Sequence, residues 1–239
     1  FTTDSNLNNH PVGNLLLAAL YNITGNLTES LTSLSKIFNI KGRILPFTED
    51  NPILIAHTKE GHIIEGESKI TKAGQEIDYI EYKNKVTPTK EVLNALKEAD
   101  LIIFSMGSLY TSVLPNIICK EVEDVLNETK APIMYTCNIV TQPGETDNFT
   151  VGDHVKLLNR YLDKKKVDVV IANNAKIEEE IAKRYESQEQ KDPVLIDYEE
   201  LEKIGVELIE DNLLTIDDNT LKHDSLKLSS LIFSYLMRK

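Results

Sequence analysis

The alternation of apolar runs with helical patterns after residue 87 is the feature that most restricts how this chain can fold. The predicted helices cover 88–99, 115–129, 151–162 and 176–186, and each is followed by a short apolar run, at 101–104, 132–137, 167–172 or 193–197. Continuous apolar strands separated by amphipathic helices indicate a parallel sheet with both faces covered. The sequence therefore predicts a three-layer α/β fold with a mainly parallel sheet.

The residues before this alternation indicate two helices and then a small antiparallel insert. The segment 12–21 follows Asn9-His10-Pro11 and is apolar on almost every side, so we expect a buried helix there. Asn26 is expected to cap the second helix, in which apolar residues recur at helical spacing. Short β-rich segments from 43 to 82, with a hairpin turn at 59–61, predict a β insert at about 43–86.

The last part of the chain predicts one more helix, over 224–237. Its expected core stripe consists of Leu226, Leu228, Leu231, Ile232 and Leu236. A chain of 239 residues with 41% hydrophobic content can bury one sizeable core. We therefore interpret residues 1–239 as a single α/β domain with the β insert attached.

Composition excludes several classes of partner. A formal net charge of −12 argues against a nucleic-acid or anionic-membrane surface, because phosphate backbones recruit clustered cations. A nucleotide-sized ligand stays compatible with this charge, since backbone N–H groups at a helix start bind phosphates without a basic patch. Cys119 and Cys137 lie inside apolar runs, which indicates buried thiols in a reducing compartment. No apolar run approaches the roughly 18 residues of a membrane span. We expect a cytoplasmic protein.

Three predicted strands end in small polar segments, and such ends are where open parallel sheets bind ligands. The segments are Ser105 to Ser112, Asn138 to Asn148, and Asn173-Asn174. In the first, Gly107 permits close approach of the backbone to a phosphate, and neighbouring hydroxyls lie near a predicted helix start. The alternative is an ordinary loop that is capped by Ser112.

The run from Gln142 to Asp147 also has two interpretations. Gln142 and the N–H groups around Gly144 would hold a polar ligand, while Glu145 and Asp147 would coordinate Mg²⁺ or accept ribose hydroxyls. The alternative is a turn that leads into a helix capped by Thr150, with Asp153 three residues later. We favour ligand binding, because a turn alone does not need so many polar side chains at the end of a strand.

Two histidine motifs are less informative. Asp153-His154 is interpreted as part of a helix start and its capping. Lys222-His223-Asp224 would present a cation to a diphosphate, and a surface lysine beside a helix-capping aspartate is the alternative. Neither histidine has the Ser or Cys neighbours of a hydrolytic triad in the sequence.

These motifs together resemble the bacterial gluconeogenesis-factor family, which is related to 2-phospho-L-lactate transferase (CofD). The motifs are HPVGNLLLAAL at 10–20, GESKI at 66–70, GSLYTSVLPN at 107–116, QPGETD at 142–147 with Asp153-His154, and KHD at 222–224. The resemblance implies a Rossmann-like fold that binds UDP-sugars or a dinucleotide. It also implies a role in growth and cell shape on gluconeogenic carbon sources, without an established reaction.

The chain departs from the family pattern at several points. The family's Gly-rich phosphate loop and the Asp-rich stretch after it would precede residue 10, and neither is present, so the sequence resembles the fold without its first βα unit. Ser105-Met106 stands where Gly-Pro is usual. Lys222 stands where the family is expected to have Arg, and Lys keeps the charge but loses the bidentate fork.

The resemblance implies a set of ligand-binding residues and a set of partners. The residues that match the family motifs are His10, Asn14, Gly107, Ser108, Leu109, Tyr110, Asn138, Gln142, Gly144, Glu145, Asp147 and Lys222. Asn173 is added to this predicted site because it follows a predicted strand. Mg²⁺ and NAD(P) are candidate bound ligands, and a protein partner in cell-wall synthesis and a homodimer are candidate assemblies. Nucleic acid and membrane are not expected partners.

Three functions are compatible with the sequence and the resemblance. The first is a cytosolic regulator that binds a nucleotide-sugar. The second is a CofD-type transferase that moves a 2-phospholactyl group from a guanosine diphosphate donor to a deazaflavin, with Mg²⁺ held by carboxylates. The third is NAD(P) binding, whose G-x-G-x-x-G fingerprint the sequence lacks. Because the pocket motifs contribute only Lys222 as a cation, we favour the regulator over the transferase.

Overall fold

The computed structural model describes residues 10–189, 191–217 and 220–238. The chain divides into two compact units. The first comprises the described residues up to Asn51 together with Val86–Ala95, and the second comprises Pro52–Lys85 and the described residues from Leu96 onward. The interpretation of 1–239 as one domain stays a prediction, and Asn9 lies outside the described residues.

The first unit begins with two helices, α1 (Val12–Thr24) and α2 (Leu27–Ile37). Gly25 adopts a left-handed conformation (φ +79°) that ends α1. The Asn26 Oδ1 atom accepts a hydrogen bond from the Glu29 N–H at 2.7 Å, which confirms the predicted cap of α2.

The prediction that the first helix is buried is wrong. None of the residues of α1, all of which are described, is buried, and Ile23 is 80% exposed. α1 packs along α2 in this unit. A helix is a cylinder about 10 Å wide, so one neighbouring helix covers only one side of it. An apolar sequence alone therefore did not determine how much of α1 is covered.

The second unit begins with the antiparallel insert. Among the described residues it consists of β1 (Leu54–Thr58), β2 (Ile63–Glu65), α3 (Glu67–Ala73) and β3 (Ile77–Tyr82), with strand order β2-β1-β3. The predicted hairpin turn joins β1 to β2, where Gly61 has φ +86°. The segment 43–47 is not a strand, and the GES sequence at 66–68 enters α3 instead of extending β2.

The predicted alternation continues through the parallel sheet. The elements are α4 (Lys90–Glu98), β4 (Ile102–Phe104), α5 (Lys120–Glu128), β5 (Ile133–Thr136), α6 (Val151–Tyr161), β6 (Val169–Asn173), α7 (Glu179–Arg184), α8 (Tyr198–Ile204) and β7 (Glu207–Asp211). Within the described residues, β4, β5, β6 and β7 pair in this order, and every pair is parallel. All residues of β5 are buried, as expected for a strand covered on both faces. The α/β fold with a mainly parallel sheet is confirmed.

The predicted fourth strand at 193–197 is wrong. Pro193 forms an isolated antiparallel bridge with Val140, and the fourth strand of the sheet is β7. The run pairs with the segment after β5, where the Val194 N–H donates to the Ile139 carbonyl at 2.9 Å, and so it does not join the ladder of the parallel sheet. β7 lies at the edge of the sheet and is partly exposed, so its acidic sequence lacks the apolar signature of a central strand.

The helix predicted over 115–129 begins later than expected. A π-helical turn (Leu109–Val113) and a 3₁₀ turn (Leu114–Asn116) precede it, and α5 itself begins at Lys120 with Cys119 at its N-cap. Ser112 lies within the π-helical turn and does not cap a helix. The segment after β4 is thus compact and helical, although it is not the first turn of α5.

The C-terminal part contains a hairpin that the sequence did not reveal, β8 (Leu214–Asp217) with β9 (Thr220–His223). The final helix, α9 (Ser225–Leu236), follows as predicted and is capped by Asp224. Leu228 belongs to a core cluster with Met134 and Ile171. Leu226 is 81% exposed, which corrects its expected core position. Two residues correspond to about 200° around a helix, so Leu226 and Leu228 cannot face the same core.

Candidate functional site

The polar segments that follow β4 and β5 lie side by side at the carboxyl edge of the parallel sheet. β4 and β5 pair in register, with Phe104 opposite Tyr135, so the segments that leave them begin as neighbours. The Asn138 Nδ2 atom donates a hydrogen bond to the Gly107 carbonyl oxygen at 3.3 Å. The two strand ends that the sequence singled out therefore share one rim.

Glu145 joins these two segments through its carboxylate. The residue is only 4% exposed. Oε2 accepts hydrogen bonds from the Ser108 hydroxyl at 2.5 Å and from the Tyr110 N–H at 3.0 Å. Oε1 accepts from the Thr111 hydroxyl at 3.3 Å and from the Gln142 Nε2 atom at 3.2 Å. This buried carboxylate is paired with four donors, and it holds the loop after β4 against the turn after β5.

The run from Gln142 to Asp147 forms a turn, which the sequence offered as the alternative to ligand binding. The Asp147 Oδ2 atom accepts from the Gly144 N–H at 2.6 Å, and the Thr146 hydroxyl accepts from the Gln142 N–H at 2.9 Å. Gly144 has φ +77°, and a Cβ atom there would lie 2.7 Å from the Gly74 Cα atom. A side chain at 144 would therefore be strained and would also clash with the backbone. Both the turn and its dependence on glycine follow from this geometry.

The helix start after this turn is also as predicted. The Thr150 hydroxyl accepts from the Asp153 N–H at 3.2 Å, and the Asp153 Oδ2 atom accepts from the Thr150 N–H at 3.1 Å. These reciprocal bonds form a capping box at the N-terminus of α6. The interpretation of Asp153 as a capping residue is confirmed.

A cleft of about 530 Å³ opens beside these segments. It is lined by Thr71, Asn138, Val140, Thr141, Gln142, Pro143 and Lys191. Two of the predicted ligand-binding residues, Asn138 and Gln142, contribute to this lining. The size is within the range of small-molecule sites in proteins, and the amide and hydroxyl groups can bind a polar ligand.

Other predicted residues line a second cavity, of about 310 Å³, in the same unit. Tyr110, Glu145 and Asp147 form part of its wall. Its cations are paired with acids: Lys59 with Glu76 at 2.9 Å, Arg160 with Asp78 at 3.2 Å, and Lys156 with Asp153 at 3.7 Å and Glu200 at 2.8 Å. The residues predicted to form one wall of a single site are thus divided between two cavities.

Five residues of the larger cleft were not predicted, of which three are polar or charged: Thr71, Thr141 and Lys191. Lys191 reaches the cleft because the chain after α7 returns to the segment after β5. The Thr141 N–H donates to the Asp192 carbonyl at 2.8 Å, and the Asp192 N–H donates to the Thr141 hydroxyl at 2.8 Å. These partners are 51 residues apart in sequence. No local pattern signals such a contact.

The side chains of Asn173 and Leu109 make contacts inside the protein. The Asn173 Oδ1 atom accepts from the Leu213 N–H at 3.0 Å and from the Ala175 N–H at 3.3 Å, so it connects the ends of β6 and β7. The Leu109 side chain is buried in the core. Their predicted contacts with a ligand stay predictions.

The motif at 222–224 is divided between three tasks. The Lys222 Nζ atom donates to the Asp217 Oδ2 atom at 2.6 Å across the β8–β9 hairpin. The His223 Nε2 atom contacts the Cys137 carbonyl oxygen at 3.1 Å, and Asp224 caps α9. This contact places the His223 ring next to the residue that follows β5. Lys222 is exposed on the hairpin.

His10 and Asn14 lie in the first unit. His10 precedes α1, Asn14 is in its first turn, and both are exposed. Their predicted role in ligand binding stays a prediction.

Burial shifts the pKa values of His154, His223 and Cys137, which lie near the end of β5. Burial lowers the pKa of His154, whose Nδ1 atom contacts the Thr150 carbonyl at 2.8 Å and whose ring lies between Tyr135 and Phe149. Because Nδ1 must donate to that carbonyl, the neutral ring has its lone pair at Nε2, and that buried atom has no hydrogen-bond partner among the described residues. Burial also lowers the pKa of His223 and raises the pKa of the Cys137 thiol to about 12. Neither histidine is expected to carry charge at neutral pH.

The described residues include no group of three His, Cys, Asp or Glu side chains arranged to hold a metal ion. Glu145 and Asp147, the predicted Mg²⁺ ligands, both accept hydrogen bonds from protein N–H groups. Mg²⁺ at these carboxylates stays a prediction.

Comparison with known proteins identifies the family. The model of the family described as 2-phospho-L-lactate transferase CofD matches residues 1–214. The chain belongs to the CofD family. It is 37% identical over 237 residues to the gluconeogenesis factor of Bacillus subtilis, which covers 99% of this chain and 74% of that protein. It is 39% identical over 242 residues to a putative gluconeogenesis factor of Clostridium acetobutylicum, covering 99% of this chain and 53% of that one.

A solved structure of a related protein shows the same fold. A crystal structure of a UPF0052-family protein from Bacillus halodurans superposes with a TM-score of 0.90 at 34% identity, covering 96% of this chain and 74% of that chain. The family resemblance and the Rossmann-like three-layer fold are therefore confirmed. Within its described residues, the CofD-family chain has no helix whose length and apolar character would suffice to cross a bilayer.

Proposed function

We propose that this chain binds a phosphate-bearing nucleotide, a UDP-sugar or a dinucleotide, in the cleft beside the end of β5. The observation that carries the proposal is the hydrogen bond between Asn138 and Gly107, which brings two polar strand ends to one rim beside a 530 Å³ cleft. In open parallel sheets, ligands bind at this edge, where the loops after the strands converge.

The biological role that we propose is regulatory. Relatives that are 37% and 39% identical carry the name gluconeogenesis factor, so we infer a role in growth on gluconeogenic carbon sources and in cell shape. A nucleotide-sugar would report the supply of cell-wall precursors, and a protein partner in cell-wall synthesis would receive the signal. A cytoplasmic location is part of this proposal. Cys119 and Cys137 are buried and form no disulfide, which is typical of a reducing compartment.

A CofD-type transferase is the second candidate, because the matching family model carries that name. Transfer of a 2-phospholactyl group requires stabilisation of a phosphoryl group by Mg²⁺ or by several cations. Lys191 is the cationic side chain among the described residues that line the cleft. This charge suits binding of a phosphate better than transfer of one, which is why we prefer the regulator.

Calorimetric titration of the purified protein with UDP-N-acetylglucosamine, NADP and GDP tests the proposal. We expect UDP-N-acetylglucosamine or NADP to bind with a dissociation constant that does not change when EDTA replaces Mg²⁺. Binding of GDP alone, and only with Mg²⁺, would favour the transferase. Absence of binding by all three nucleotides would contradict both candidates.

A further inference from the structure

The 310 Å³ cavity and the 530 Å³ cleft differ in the charged residues that line them, and this difference indicates which of the two suits an anion. The 310 Å³ cavity is lined by the acids Glu76, Asp78, Glu145, Asp147 and Asp153 against the cations Lys59, Lys156 and Arg160. The 530 Å³ cleft has Lys191 and no acid among its described lining residues. The acids of the first cavity outnumber its cations, which disfavours a phosphate there, whereas the cleft has a lysine in its lining.

The backbone around Lys191 is held in place by the segment after β5. Besides the two hydrogen bonds between Thr141 and Asp192, the Val194 N–H donates to the Ile139 carbonyl at 2.9 Å. On the other side, the Lys191 N–H donates to the Tyr185 carbonyl at 3.2 Å. The chain carrying Lys191 is therefore fixed to the segment that contributes Asn138 and Gln142 to the cleft.

Lys222, which the sequence favoured as the cation of the site, is engaged elsewhere. Its Nζ atom lies 2.6 Å from the Asp217 carboxylate. In the β8–β9 hairpin, Lys222 pairs with Thr215. The ion pair lowers the pKa of Asp217. Lys222 is not among the described residues that line the cleft.

We propose that Lys191 binds the phosphate group of the nucleotide, with the amides of Asn138 and Gln142 contacting the same end of the ligand. This inference rests on the proposed function and adds the residue that selects phosphorylated ligands. A lysine ammonium acts as a point charge with three donors, so it can follow one or two phosphates without fixed geometry. The site would then discriminate a nucleotide from its nucleoside mainly through this side chain.

The experiment compares charge changes at the two lysines. Affinity is measured by calorimetry for UDP-N-acetylglucosamine, or for NADP if that is the nucleotide that the unchanged protein binds. Lys191→Ala is expected to weaken binding about 10- to 100-fold, the range of a lost charged hydrogen bond, and Lys191→Glu to weaken it further. Lys191→Arg, which keeps the charge, is expected to stay within about fivefold, and Lys222→Ala within about twofold. Thermal melting of each variant verifies that it is folded.

The outcomes separate this inference from the proposed function. If the unchanged protein binds and Lys191→Ala binds within about twofold of it, the role of Lys191 is overturned while nucleotide binding stands. Equal losses for Lys191→Ala and Lys222→Ala would also overturn it, because they would indicate a general effect of net charge. If the unchanged protein binds none of the nucleotides, the proposed function fails and the inference fails with it.

Discussion

The Ser108 hydroxyl donates a hydrogen bond to the buried Glu145 carboxylate across 2.5 Å, which joins the loop after β4 to the turn after β5. The loop also contributes the Tyr110 N–H and the Thr111 hydroxyl to the same carboxylate. Glu145 was predicted to contact a ligand or Mg²⁺. The four hydrogen bonds that its carboxylate accepts also hold the loop after β4 against the turn after β5. Loss of this carboxylate should therefore lower the stability of the protein as well as any affinity for a ligand.

Replacing this carboxylate tests that organising role. In the Glu145→Gln variant, an NH₂ group replaces one of the carboxylate oxygens that accept hydrogen bonds in the unchanged protein. Two donors then face each other, so we expect the free energy of unfolding to fall by about 2–3 kcal/mol. Asp147→Asn is the matched control. Asp147 accepts one hydrogen bond from the Gly144 N–H, and an asparagine carbonyl can still accept it, so a loss of about 0.5 kcal/mol or less is expected. Urea unfolding measures both values, and equal losses would show that Glu145 is not the organising group.

The glycine of the turn provides a second test. Gly144→Ala should lower the free energy of unfolding by about 1–3 kcal/mol from backbone strain, with an additional loss from the clash at Gly74. Gly205→Ala is the control, since Gly205 has nearly the same φ angle (+78°) and open space around its Cβ position. The difference between the two variants isolates the clash. Equal losses would mean that the turn moves away from residue 74 without cost.

The buried histidine predicts a pH dependence. Burial lowers the folded-state pKa of His154 below its unfolded value, so the unfolded state binds more protons as the pH falls below about 6.5. Its contribution to stability is therefore fully present above about pH 6.5 and is lost towards the folded-state pKa, with a slope of up to about 1.4 kcal/mol per pH unit. The free energy of unfolding, measured with urea between pH 7.5 and 5, should fall accordingly.

His154→Phe should flatten this dependence, because it fills the space between Tyr135 and Phe149 without a titratable group. Part of the slope should persist, since burial also lowers the pKa of His223. The double variant with His223→Gln should be flatter still. An unchanged slope in both variants would show that other groups control the acid sensitivity.

The charge preference of the cleft can be tested at Asn138. Asn138→Asp introduces a negative charge next to the proposed phosphate position and opposite the Gly107 carbonyl, so we expect nucleotide affinity to fall at least about 10-fold. Asn138→Ala removes the amide without adding charge and should cost less affinity. Affinities from calorimetry that rank the two variants in the opposite order would argue against an anion in the cleft.

The sequence predicted the sheet well where packing leaves a local signature. β5 and β6 are covered on both faces, so they appear as continuous apolar runs, and their helices carry clear caps such as the box at Thr150 and Asp153. The edge strand β7 lacks this signature, because one side faces outward. The apolar run after Pro193 resembled a strand more closely than β7 did.

The site was predictable in part for the same reason. The meeting of Gly107 with Asn138 follows from the rule that adjacent parallel strands end at one rim. The position of Lys191 depends on hydrogen bonds between residues 51 apart, and no periodicity reports such a contact. The sequence showed which segments are polar, and only the folded chain showed which cation accompanies them.

A crystal structure of the protein soaked with UDP-N-acetylglucosamine, or with NADP if that is the nucleotide bound in solution, tests the central claim most directly. We expect phosphate density in the cleft lined by Asn138, Thr141, Gln142 and Lys191, with a phosphate oxygen within hydrogen-bond distance of the Lys191 Nζ atom. Nucleotide density that lies in the acidic cavity beside Asp147 and Arg160, or away from both cavities, would contradict it.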